Sequence, residues 1–119
     1  MGKLLVHLTH GPEAPTRAAL AFLVAKSAVD EGHEVTMFLA GDSVQILRGA
    51  VIDSLHGLGT GVLREHVDAV LGAGVPIYLS GMSSKARGVV DDHVPSGVEM
   101  APPARLVQLV FEADRVLTY

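Results

Sequence analysis

Three polar residues stand directly after apolar runs: His10 after "KLLVHLT" (3–9), Asp42 after "HEVTMFLAG" (33–41) and Ser80 after "VPIYL" (75–79). A serine, a histidine and an aspartate on one edge could act as hydroxyl nucleophile, general base and orienting carboxylate on a small polar substrate. Tyr78 and Leu79 precede Ser80, so the G-x-S-x-G elbow of the α/β-hydrolases is missing. The stretch Ser80-Gly81-Met82-Ser83-Ser84 offers a second chemistry. Where a helix begins, backbone N–H groups lack intrahelical partners and small anions or carboxylates are welcome. On this reading the pocket walls are His10, Gly11, Gly41 and Asp42. Gly81 permits the tight turn, Met82 supplies an adaptable apolar wall, and Lys85 and Arg87 add positive charge. The plainer reading is that the serines and Asp42 only cap helices.

Other chemistries are excluded by what the chain lacks. It contains no cysteine, which removes disulfides, thiol catalysis and thiolate metal sites together. No P-loop and no G-x-G-x-x-G fingerprint occurs, and "GLGTG" (57–61) reads as a flexible connection. The six histidines include no i, i+4 pair, so neither a metal site nor a cofactor is expected. His7 reads as a structural strand residue, His33 as holding a turn, and His66 as an exposed helix residue. The net charge of −4 comes without a basic run, which argues against nucleic acid as a partner. No apolar segment reaches the roughly 18 residues of a membrane helix, and the N-terminus does not read as a signal peptide. A soluble, cytoplasmic protein is expected.

The elements that position these residues alternate. Strands are expected at 3–9, 33–41, 75–80, 96–101 and 114–119. Helical connections separate them: one over 14–32 with Thr16 as its cap, one beginning at Asp42, one over 62–74, a short one from Met82, and one over 102–113. Residues 49–61, with four glycines, read as a loop containing some helical turn. Helical crossovers demand parallel pairing. The 119 residues are therefore read as a single domain, 1–119, forming a three-layer α/β/α sandwich with a five-stranded, mostly parallel sheet. Ligands of such sheets sit beyond the carboxyl ends of the strands, where His10, Asp42 and Ser80 fall.

With strands and turns placed, the chain resembles the DsrE/DsrF-like family, which includes TusD-type sulfur-relay proteins and a branch described as predicted peroxiredoxins. The likeness is carried by "GPEAPTRAALAF", "EGHEVTMFLAGDSVQIL", "GAGVPIYLSGMSSKARGV" and "EADRVLTY", in the family's order from end to end. The resemblance implies an α/β sandwich assembling into a homo-oligomer, commonly a trimer or hexamer, with the third-strand turn near a subunit boundary. An aromatic content of 4% beside a hydrophobic content of 49% is consistent with apolar surface covered between subunits. In relay members the sulfur-carrying cysteine sits eight residues before a Gly-Val pair; counting back from Gly88 gives Ser80. A serine hydroxyl has neither the accessible thiolate nor the sulfur that persulfide and peroxiredoxin chemistry require. Three readings remain open. The chain is a non-redox member binding a small ligand or partner at the Ser80 turn, a structural subunit beside a cysteine-bearing paralogue, or an enzyme using Ser80, His10 and Asp42.

Overall fold

A computed structural model describes all of residues 1–119. Five strands form one wholly parallel sheet: β1 (Lys3–Leu8), β2 (Glu34–Leu39), β5 (Ile77–Ser80), β6 (Val98–Ala101) and β7 (Arg115–Thr118), in the spatial order β6-β5-β2-β1-β7. The expected fold class is the observed one. Helix α1 (Pro15–Asp30) starts with proline in its first turn, where the missing N–H costs nothing. It ends at Gly32, whose φ of +88° only glycine adopts without strain.

The two sheet faces carry different loads. One face presents Val6 and Leu8 of β1, Val35, Met37 and Leu39 of β2, and Ile77 and Leu79 of β5 to the main core. Helix α1 covers it with Ala18, Ala21, Phe22 and Ala25, small residues that let the helix lie close. Helix α3 (Leu63–Gly72) adds Leu63, Val67 and Val70 from beside it. The other face is thinner. Helix α5 (Pro103–Glu112) buries Leu109 there against Leu5, Phe38 and Ala101. Parallel pairing in register aligns His7, Phe38 and Tyr78 across three strands on that face. His7 meets the Phe38 ring edge-on at 6.1 Å, and Phe38 stacks on Tyr78 at 6.5 Å.

Four local expectations are corrected. Residues 49–61 contain the expected helical turn, α2 (Gly49–Ser54), but the remainder is a small antiparallel hairpin of β3 (His56–Gly57) and β4 (Gly61–Val62) and not a loop. Positive φ at Gly59 and Gly61 shapes that hairpin, so "GLGTG" is a tight turn. Thr16 caps nothing; it lies inside α1, and its hydroxyl accepts the Leu58 amide at 3.0 Å, tying the hairpin to the helix. His66 is half-buried, with Nε2 against the Thr60 carbonyl. His33 does hold a turn, its Nδ1 accepting from the Gly2 amide at 3.0 Å.

His7 Nε2 is buried without a hydrogen-bond partner. Burial pushes its pKa below the ordinary value of 6.5. The unfolded chain therefore binds a proton that the native state resists, and native stability must fall as pH falls through and below 6.5. Thermal unfolding followed from about pH 7 down to about pH 5 should show this loss, and His7→Gln should flatten the slope over that interval. An unchanged slope in the variant would assign the acid sensitivity to other groups.

Candidate functional site

The carboxyl ends of β1, β2 and β5 deliver Thr9, Ala40 and Ser80 side by side, because Leu8 pairs with Leu39 and Leu39 with Leu79. Beyond β2 the chain turns at Gly41 (φ +59°) into a 3-10 segment, Gly41–Gln45. Ser43 is fully buried there, with its hydroxyl 2.7 Å from the carbonyls of both Leu8 and Ala40. Beyond β5 the chain enters helix α4 (Gly81–Ala86) directly. Ser80, 9% exposed, is its N-cap, and its Oγ accepts the Ser83 amide at 3.1 Å. Ser83 Oγ in turn accepts the Gly41 amide at 2.9 Å, joining the two turns.

Asp42 is not a helix cap. The segment's N-cap is Ala40, and no side chain caps it. The Asp42 carboxylate instead accepts from Arg87 Nε at 3.0 Å, and the same guanidinium reaches the Ser83 carbonyl at 3.2 Å. Arg87 thus lies close to the turn, as expected, but its charge is matched by a carboxylate. The Gly11 amide donates to Glu13 Oε1 at 2.6 Å, placing a second carboxylate beside the β1 turn. The amides of Gly11, Gly41 and Ser83 are therefore all satisfied within the chain. Ser84 is buried without a hydrogen-bond partner, and Met82 is 70% exposed. None of His10, Gly11, Gly41, Asp42 and the residues of the Ser80–Ser84 turn lines the cavities on the rest of the surface.

Ser80, His10 and Asp42 share an edge, but no hydrogen bond links any two of them. His10 Nδ1 lies 3.3 Å from Thr9 Oγ1, Ser80 Oγ serves α4, and Asp42 serves Arg87. A nucleophile activated by a base needs the hydrogen bond that is missing. The β2 and β5 turns are joined instead by Asp42 with Arg87 and by Ser83 with the Gly41 amide, and the His10 ring bonds only its neighbour Thr9. Arg48 belongs to the same assembly, donating from Nη2 to the Arg87 carbonyl at 2.9 Å. No motif signals Arg48 or Glu13, because their partners are backbone groups. No group of three metal-ligating side chains occurs in the chain, and no helix is long and apolar enough to cross a membrane.

The fold as a whole is matched among known proteins. The DsrE/DsrF-like family model matches residues 2–119, and the chain belongs to that family, as a member without the active-site cysteine. Uncharacterised proteins of Methanopyrus kandleri and Methanocaldococcus jannaschii are each 30% identical over 117 residues, 98% of this chain and 93% and 99% of theirs. The fold is similar to the crystal structure of the ychN protein from E. coli, with TM-score 0.81 and 23% identity over the whole of both chains. A protein of unknown function from Methanobacterium thermoautotrophicum superposes with TM-score 0.73 at 15% identity, over 100% of both chains.

The tightest joint of the edge is Gly11. A Cβ there would stand 2.2 Å from the Asp42 carbonyl oxygen, and backbone cannot yield as a side chain can. Gly11→Ala should cost about 2–3 kcal/mol in urea unfolding, within the range of overpacking changes. Ser80→Ala, which removes only a cap, should cost about 1 kcal/mol. A Gly11→Ala loss no larger than that of Ser80→Ala would show that the two turns can separate freely.

Proposed function

We propose that this chain is a non-redox member of the DsrE/DsrF-like family that works as a binding subunit in a homo-oligomer, a trimer or hexamer, through the Ser80 turn. One observation carries the reading: the residue in the sulfur carrier's place is a buried cap whose hydroxyl is already bonded to Ser83. Such a group neither carries sulfur nor attacks a substrate. Asp42 and the amides of Gly11 and Gly41 beside it are spent inside the chain, on Arg87, Glu13 and Ser83. The exposed feature of the turn is Met82, a flexible thioether of the kind protein interfaces favour. That favours a protein surface over a small anion as the turn's partner. The enzyme reading lacks the required hydrogen bond between nucleophile and base. The hetero-oligomer reading keeps the same turn and changes only the partner.

Light scattering at micromolar concentration should show a trimer or hexamer from the purified chain alone. Met82→Glu, on an exposed side chain, should shift the population toward monomer without altering the unfolding midpoint of the dissociated chain. A monomeric wild-type protein would overturn the homo-oligomer. Assembly only on mixing with a cysteine-bearing paralogue would replace it by the hetero-oligomer. An oligomer indifferent to Met82→Glu would remove the turn from the interface.

A further inference from the structure

One edge of the sheet is bare. β7 pairs with β1 alone and stands last in the strand order, so its other side has no neighbour. All four of its residues are exposed, whereas the strands of a parallel sheet are ordinarily covered on both faces. The side chains left bare there are apolar. Val107, Val110 and Phe111 of α5 and Val116 and Leu117 of β7 are five of the chain's eleven exposed large apolar residues, gathered within residues 107–117. The opposite edge strand, β6, carries the exposed Glu99, a charge of the kind that keeps edges apart.

The backbone of the bare edge has its own pattern. Tyr119 gives its N–H to the His7 carbonyl and takes the Thr9 amide. Alternation along the strand turns Leu117 inward with it, and leaves the N–H and C=O groups of Val116 and Thr118 facing outward. Leu117 stands level with Val6 on the α1 side of the sheet, and Val116 level with Leu5 on the α5 side.

We propose that β7 is an interface for a second copy of this chain, pairing antiparallel with its equivalent about a twofold axis at Leu117. This register engages every outward group: Val116 of each copy faces Thr118 of the other, and a pair so placed exchanges both hydrogen bonds. It sets Leu117 against its own equivalent, in the closer kind of antiparallel pair. Arg115 falls opposite Tyr119, so a cation meets an aromatic ring and no like charges are opposed. The twofold contact closes on itself, whereas β7 laid against the β6 edge of another copy would propagate without end. The exposed area sets its strength. The five apolar side chains present roughly 400 Å² per copy, enough to mark an interaction surface. Two copies together still fall short of the roughly 1,200 Å² at which stable interfaces begin. A single contact is therefore weak, but between two trimers it is made three times at once and each reinforces the others. The inference thus rests on the trimer of the Ser80 turn for its strength, and it selects the hexamer.

Because the chain has no cysteine, one introduced cysteine reports its own partner. Leu117→Cys, oxidised with glutathione disulfide, should give mostly disulfide-linked dimer, since the Cα atoms of such a pair lie about 4.5 Å apart and within reach of a bridge. Val116→Cys, whose equivalents stand more than about 7 Å apart in this register, should link at least about tenfold less. In light scattering the wild-type chain should be a hexamer. Thr118→Pro, which removes an outward N–H and no bond to β1, should be a trimer. A wild-type trimer, a hexameric Thr118→Pro variant, or a cross-link at Leu117→Cys no greater than at Val116→Cys would overturn the edge contact and leave the Ser80 turn standing. Cross-linking at Leu117→Cys in an oligomer that Met82→Glu does not disturb would uphold the edge and remove the turn.

Discussion

The in-register parallel pairing of β2 with both β1 and β5 is the constraint on which the rest of this molecule depends. Side chains of a strand alternate between faces, so a slip of one residue would exchange every inward and outward group. Here the pairing of Leu8 with Leu39 and Leu39 with Leu79 places three leucines on the α1 side. The same register aligns His7, Phe38 and Tyr78 on the α5 side. It also makes the three strands step off the sheet together. Gly41 can then be held by Ser83, and Gly11 can sit against the Asp42 backbone, only because their strands end level. A parallel sheet covered on both faces tolerates no loose register, since each apolar position has a counterpart in a helix layer.

The carboxyl edge of the sheet and its thin face hold their charges in different ways. At the carboxyl end, Asp42 meets Arg87, Glu13 meets the Gly11 amide, and Ser80 and Ser83 each take a backbone N–H. Hydrogen bonds made inside the chain stiffen the elements they join, with Ser84 Oγ and Arg48 Nε left buried there without partners. On the thin face, Arg105 of the first turn of α5 is anchored by an aromatic ring and two neutral acceptors. The Ser80 turn is thus part of the architecture.

Much of the architecture was legible in the sequence because its signals are local. Near-continuous apolar runs marked the five strands, Gly32 marked the end of α1, and the Ser80 cap was readable because its partner lies three residues on. What was illegible depended on distance. Asp42 looked like a cap until Arg87, 45 residues away, took its carboxylate. Thr16 looked like a cap until the hairpin folded over it, 42 residues later in sequence. Strands of two residues, such as β3 and β4, have no periodicity to detect, and their glycines look the same in a loop as in a turn.

The placement of β7 has a consequence for how the chain assembles. β7 is last in sequence but pairs with β1, which is first; Asp114 accepts the Lys3 amide, and Thr9 and Tyr119 close the far end. During synthesis the outer edge of β1 therefore stays unpaired until residues 115–118 have been made. A bare strand edge invites pairing with any extended chain, and contacts this remote in sequence form slowly because a long loop must close first. The vulnerable species of this protein is then a nascent sheet of four strands, open at β1, whose productive fate depends on the emergence of residues 115–118.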